Sequence, residues 1–267
     1  MKFAVIGSPI NHSFSPKIHK FFAGSLGMKI EYEAIEIERE EYSQRVRELF
    51  HGGFSGLNVT LPLKDLAYQN ANERKTNSKN TKTANTLWTR DESIVCDSTD
   101  GPGLIQDFKS KGISVKQCNI AILGSGGSAR AILPSLLAEN PSSISIINRT
   151  AKNIDLLMKD LDLKEPEVSG YELNQSLESL PDIIINCSSA GLKAERIILP
   201  SGLLDKAKIC YDLSYSISDT PFCLLAKESG VEKVFDGKGM LLNQAALSFK
   251  IWTGIYPEIP EDSKIFT

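Results

Sequence analysis

The sequence predicts an α/β protein built as two domains. Three features carry that expectation: short apolar runs alternate with amphipathic stretches, one run ends in a glycine-rich turn at Gly124, and 267 residues are enough to bury two cores. The expected division is 1–100 plus 238–267 for one domain and 101–237 for the other. The helical pattern over 239–255 has little polar content on one face, which suits it to pack back onto the first hundred residues and make that domain discontinuous.

Strand-like runs fall at 2–6, 30–37, 56–60, 84–88 and 94–97. After the first of them, Ser15-Pro16 opens a helix to about Leu26, with serine as cap and proline at the first helical position. A second helix is expected over 39–50, where Tyr42, Val46, Leu49 and Phe50 recur at helical spacing. The stretch 70–83 is rich in Asn, Lys and Thr and fits either a solvated helix or a loop. A helix over 101–111 leads into the second domain. There the pattern continues as strand, glycine turn, helix, strand at 144–148, helix near 151–161, and strands at 183–187 and 208–213. Pro134, inside the helix after the glycine turn, removes a hydrogen bond and should kink or shorten that helix.

The glycine turn is the strongest chemical signal. Ala121-Ile122-Leu123 runs into Gly124-Ser125-Gly126-Gly127-Ser128-Ala129, and a second apolar run ends in Asn148-Arg149-Thr150. Gly124 lets the chain turn off the strand, Gly126 lets backbone amides approach a pyrophosphate, and the following helix points its positive end at that anion. Ala129 stands where a third glycine is usual and is small enough to keep helix and sheet close. At the end of the next strand a carboxylate would grip the ribose hydroxyl of NAD, whereas Arg149 offers a cation suited to a 2′-phosphate. The expected cofactor is NADP (NADPH).

Composition narrows the rest. Lys and Arg number 30 against 33 Asp and Glu, with no long basic block, so nucleic acid is not an expected partner. No apolar run approaches the ~20 residues that span a bilayer, and the chain starts on a strand-like run rather than a targeting segment, so a cytoplasmic protein without a membrane partner is expected. Five scattered cysteines form no Cys-x-x-Cys pair and argue against a disulfide framework. Three histidines fall into no ligand spacing, so no metal is expected.

Four polar clusters lie outside the glycine turn, each at an expected strand end or the loop after it: Ser13-Phe14-Ser15-Pro16, Asn58-Val59-Thr60-Leu61-Pro62-Leu63-Lys64, Ala84-Asn85-Thr86 and Ser98-Thr99-Asp100-Gly101. They supply hydroxyls, amides, one cation and one carboxylate, a lining suited to a small polyhydroxylated acid. Hydride transfer also needs a group that gives or takes the alcohol proton, and Lys64 and Asp100 are the candidates. Read singly, Ser15 fits a helix cap, Lys64 a solvated lysine in a first helical turn, and Asp100 another cap.

Taken together and in order, these clusters resemble the shikimate dehydrogenase family. The likeness extends through Gly7 to Pro16, Asn186-Cys187-Ser188, Asp212-Leu213, Tyr215, Thr220-Pro221-Phe222 and Asp236-Gly237-Lys238-Gly239-Met240-Leu241. It implies an N-terminal α/β substrate domain completed by a C-terminal helix, and a Rossmann-like NADP-binding domain. It implies reversible NADPH-dependent reduction of 3-dehydroshikimate to shikimate, on the route to chorismate and the aromatic amino acids, by a monomer or homodimer. By that likeness Ser13, Ser15 and Tyr215 hold the substrate carboxylate, and Thr60, Asn85, Lys64, Asp100 and Gln244 hold the ring oxygens. Lys64 and Asp100 are jointly catalytic, with the proton not assigned to either alone. Gly124, Gly126, Gly127, Ser128, Ala129, Asn148, Arg149, Thr150 and Gly237 fall on the cofactor side.

Three positions depart from the family pattern. Asn153 replaces a second arginine common after Asn-Arg-Thr, which weakens the expected 2′-phosphate clamp or recruits Lys152; Leu63 replaces a phenylalanine and Ser98 an asparagine. Ser15, where a bulkier threonine would crowd the carboxylate, resembles the shikimate-specific members. The alternatives are a dehydrogenase that also accepts quinate, or a non-catalytic NADP-dependent sensor on the same fold.

Overall fold

In a computed structural model, which describes residues 1–164, 166–188 and 197–267, the chain forms two units: 1–106 with 241–267, and 107–240. The first unit begins with β1 (Lys2–Gly7), α1 (Ser15–Ser25), β2 (Glu31–Glu36), α2 (Tyr42–His51) and β3 (Phe54–Val59). It continues with α3 (Lys64–Asn70), β4 (Glu73–Arg74), α4 (Thr76–Thr81), β5 (Thr86–Arg90), β6 (Ser93–Asp97) and the start of α5 (Asp100–Ser110), a helix whose residues from 107 on belong to the second unit. The sheet order is β2-β1-β3-β5-β6-β4. β1 pairs parallel with β2 and β3, and β5 pairs antiparallel with β3 and β6.

β1 shows why this sheet is covered on both faces. Successive side chains point to opposite sides: Ala4 and Ile6 join Tyr42, Val46, Leu49 and Leu63 in one cluster, whereas Phe3 and Val5 join Ile10 and Tyr32 in another. Every one of these is buried, so β1 reads as a continuous apolar run rather than an alternating one.

The second unit is an all-parallel sheet of β7 (Asn119–Leu123), β8 (Ser143–Asn148), β9 (Val168–Glu172), β10 (Ile183–Asn186), β11 (Ile209–Asp212) and β12 (Lys233–Phe235). Its order, β12-β11-β10-β7-β8-β9, reverses direction at β7, the switch point of a doubly wound dinucleotide fold. The helices are α6 (Gly127–Leu137), α7 (Ala151–Asp160) and α8 (Pro221–Glu228). The last helix, α9 (Lys238–Thr253), returns to the first unit, where Leu242, Ala245, Ala246 and Phe249 pack on Ile18, Phe22 and Ala23 of α1. The Gly124 turn thus sits at the end of the central strand β7, where α6 begins.

Several local expectations change. Ser15 is inside α1 rather than its cap: the N-cap is Phe14, and Ser15 N–H donates to Ser13 Oγ at 3.3 Å, which leaves the Ser15 hydroxyl outside the capping bond. The Asn-rich stretch resolves into β4 and α4. α6 runs through Pro134 and stops at Leu137. β9, α8 and β12 were not expected. β9 carries Ser169, Gly170 and Glu172 where an apolar run would have marked a strand, and β12 has three residues. α8 had a readable signal in Thr220-Pro221, where Thr220 accepts from Cys223 N–H and Pro221 opens the helix.

Candidate active site

Sequence-distant polar groups meet at one end of the first sheet. Lys64 opens α3 and Asp100 opens α5; Lys64 Nζ donates to Asp100 Oδ2 at 2.8 Å, with the two side chains 14% and 7% exposed. Neither bland assignment holds for them. Asp100 spends its second oxygen on Asn85 Nδ2 at 3.1 Å, and Lys64 is a partly enclosed cation with a fixed partner. Taking two charges this far from water is costly unless each finds partners, and here each does.

The orientation of Asn85 follows from its neighbours. Thr99 N–H can only donate, and it reaches Asn85 Oδ1 at 2.8 Å, so Oδ1 is the acceptor and Nδ2 the donor. Thr86 Oγ donates to the same oxygen at 2.9 Å. Nδ2 then faces Thr99 Oγ1 at 2.8 Å, Asp100 Oδ1 at 3.1 Å and Gln244 Oε1 at 3.0 Å, three acceptors for two protons. Gln244, on α9, folds back so that Nε2 donates to Leu241 O at 2.9 Å.

Behind this layer lies a buried hydroxyl and amide network that sequence reasoning missed. Ser248 Oγ meets Thr86 Oγ1 at 2.7 Å and receives Asn58 Nδ2 at 3.0 Å, and Tyr32 OH donates to Asn58 Oδ1 at 2.7 Å. The available signal was helical spacing: Ser248 lies one turn after Gln244 on α9 and donates to its carbonyl at 3.1 Å. Of the other expected substrate residues, Ser13 and Ser15 lie together at the start of α1, and Thr60 follows β3, its N–H donating to Ile6 O at 2.9 Å. Tyr215 belongs to the second unit, after β11, and burial pushes its phenol above the ordinary range.

The cofactor-side residues gather in the second unit. Gly124 has φ +98°, a conformation that L side chains rarely adopt, and a Cβ there would lie 3.2 Å from Ser188 N. Gly126 is the N-cap of α6 and, among the described residues, no side chain caps that helix, so none of them claims the first-turn amides of Gly127, Ser128 and Ala129 in a side-chain cap. Among the described residues nothing lies within 4 Å of where a Cβ on Gly126 would stand, and Ala129 is fully buried. Asn148, Arg149 and Thr150 follow at the end of β8. Arg149 makes no ion pair among the described residues, leaving a free cation beside the start of α7. Gly237 earns its place by packing, since a Cβ would collide with Leu213 O; its N–H donates to Ser214 O at 2.9 Å. These features fit an NADP molecule: a tight turn, an open helix N-terminus and a free guanidinium. At the neighbouring strand ends, Asn186 Nδ2 donates to Asp212 Oδ1 at 3.0 Å and Thr220 Oγ1 to Asp212 Oδ2 at 2.7 Å, which ties β10 to β11 and α8.

Among the described residues no cluster could hold a metal ion, and no helix is long and apolar enough to cross a membrane. A family model for the shikimate dehydrogenase substrate binding domain matches residues 5–87, one for shikimate / quinate 5-dehydrogenase matches 107–210, and one for the shikimate 5′-dehydrogenase C-terminal domain matches 237–261. The shikimate dehydrogenase (NADP(+)) of Colwellia psychrerythraea is 39% identical, the match covering 97% of this chain and 93% of that one. The chain belongs to the shikimate dehydrogenase family. The shikimate dehydrogenase (NADP(+)) of Legionella pneumophila is also 39% identical, over 97% of this chain and 96% of its own. Among solved structures, shikimate 5-dehydrogenase from Thermus thermophilus in complex with NADP(H) and shikimate is 30% identical, with a TM-score of 0.87 and coverage of 100% and 97%. An Ael1 enzyme from Pseudomonas putida is 34% identical, with a TM-score of 0.87 and coverage of 96% and 94%. The two-sheet architecture is therefore that of the shikimate dehydrogenases.

Proposed function

We propose that this member of the family is a cytoplasmic NADP-dependent oxidoreductase that reversibly reduces 3-dehydroshikimate to shikimate, with substrate held by residues 1–106 and 241–267 and cofactor by 107–240. The observation that carries this reading is the Lys64–Asp100 pair at 2.8 Å, joined through Asn85 to Gln244. A sensor could bind a polyol acid without an enclosed ammonium and carboxylate; a reductase needs a proton source beside the carbonyl.

NADPH, when bound, supplies the hydride; Gly124, Gly126, Gly127, Ser128 and Ala129 would hold its pyrophosphate and Asn148, Arg149 and Thr150 its 2′-phosphate, with Gly237 nearby. The protein's own residues handle the proton and the ring oxygens. Lys64, steadied by Asp100, stabilises negative charge as it forms on the carbonyl oxygen and delivers a proton there, in a setting with little water to screen it. Asp100 accepts from a neighbouring substrate hydroxyl while keeping Lys64 in place. Asn85 has one acceptor too many, so a substrate hydroxyl that draws off Gln244 Oε1 relieves the crowding and gives Gln244 a ligand to bind. Ser13 and Ser15 take the substrate carboxylate, and Thr60 a ring hydroxyl.

The test is nicotinamide absorbance at fixed enzyme with shikimate or quinate and with NADP+ or NAD+. Turnover of shikimate with NADP+ is expected. Turnover of quinate at a comparable kcat/KM would make the enzyme a dual dehydrogenase, and no turnover of either acid would overturn the catalytic reading.

A further inference from the structure

The strand end that carries Arg149 has no acidic residue of its own, but the fold brings one to it. β9 lies beside β8 in parallel register, with Glu172 paired to Asn148. Glu172 Oε1 accepts from Ala151 N–H, the first residue of α7, at 3.1 Å. Two features fix it there. Glu172 N–H donates to Gln175 Oε1 at 2.7 Å, and Gly170 allows α7 to sit close on β9, since a Cβ at that position would be 2.6 Å from Ile154 Cγ2. Thr150, the N-cap of α7, makes no side-chain capping bond, so the carboxylate has taken over that task. Glu172 makes no ion pair within 4 Å among the described residues. Position 153, in the first turn of the same helix, is an asparagine rather than a cation.

The geometry points to Glu172 as a cofactor-selectivity residue that lowers the preference for NADP over NAD. This rests on the 2′-phosphate site proposed above at Asn148, Arg149 and Thr150. A phosphate drawn to Arg149 and to the start of α7 meets a helix end already occupied by a carboxylate: it must tolerate like-charge repulsion or displace Glu172 from Ala151 N–H. NAD carries no such charge, and its ribose hydroxyls can donate to a carboxylate. The residue is invisible as a cofactor determinant in the sequence, because it lies on the strand after the one that ends in Arg149.

The experiment is isothermal titration calorimetry of the full chain with NADP+ and with NAD+, on the wild type, Glu172→Gln and Arg149→Ala. Glutamine keeps an oxygen for Ala151 N–H and removes only the charge. Glu172→Gln is expected to tighten NADP+ by about fivefold, the order expected for removing one nearby like charge under solvent screening, with no tightening of NAD+. The gain should shrink in high salt. Equal effects on both nucleotides, or none on NADP+, overturn the proposal while leaving the site intact, provided Arg149→Ala still weakens NADP+ selectively. If Arg149→Ala leaves the ratio of the two affinities unchanged, the 2′-phosphate site itself is wrong and the proposal falls with it.

Discussion

His19 should make the first unit acid-labile, and the effect can be worked out from its surroundings. Its side chain is fully buried on α1, with its ring 4.4 Å from that of Tyr32 and 5.4 Å from that of Trp252, and neither ring nitrogen has a hydrogen-bond partner within the unit. Burial drives the imidazole down to about 3, with the nearby Asn58 side chain opposing. An unfolded histidine titrates near 6.5, so above that pH both states are neutral and the residue costs nothing extra. As pH falls from 6.5 toward 3 the unfolded chain takes up a proton that the native state refuses, and stability is lost across that window. The loss from this one group is about 2 kcal/mol at pH 5 and about 3 kcal/mol at pH 4. His19→Phe keeps an aromatic ring against Tyr32 and removes the proton site. Both tryptophans, Trp88 and Trp252, belong to this unit, so urea unfolding followed by their fluorescence reports on it alone. Between pH 7.5 and pH 5 the wild-type midpoint should fall by about 1 M more than that of the variant. Identical pH dependence in the two proteins would refute the reasoning.

Lys64→Ala should lower kcat by roughly 10² to 10⁴-fold with a modest change in substrate KM, because the ammonium acts mainly on charge present in the transition state; near-normal steady-state turnover would remove it from the mechanism. Arg149→Ala should weaken NADP+ by about tenfold, the value of one charge-assisted hydrogen bond, and leave NAD+ little changed, as read by fluorescence titration. Ser248→Ala removes one partner each from the buried Asn58 amide and the Thr86 hydroxyl, which meet Ser248 Oγ at 3.0 and 2.7 Å, and leaves each its bond to Asn85. It should cost about 2 kcal/mol in a thermal melt of the first unit.

Much of the architecture was legible because each strand announces itself locally. Ala121 to Leu123 and Ile144 to Ile147 are apolar runs whose neighbours bury both faces, so composition alone marks them. The glycine turn was legible because φ +98° at Gly124 is a conformation that glycine tolerates and other residues rarely adopt. β9 was not, since a sheet-edge strand shielded by α7 needs few apolar residues: Val168 is buried while Ser169, Gly170 and Glu172 are not. Ser15 misled as a cap because a serine before a proline fits that position by type, whereas the helix begins one residue earlier and Ser13 supplies the oxygen.

The sequence by itself determined the alternation of strands and helices, the family, and the kinds of chemical group present: one lysine, one aspartate, amides and hydroxyls at strand ends. Only the tertiary structure decided which of them touch. Lys64 and Asp100 lie 36 positions apart and Asn85 and Gln244 159 apart, yet their polar atoms are 2.8 and 3.0 Å from each other. Glu172 likewise reaches the start of α7 only through the pairing of β8 with β9. The physical reason is one of range. Periodicity and turn chemistry act between neighbours along the chain, whereas a hydrogen bond forms between whichever groups the sheets and helices carry to within about 3 Å.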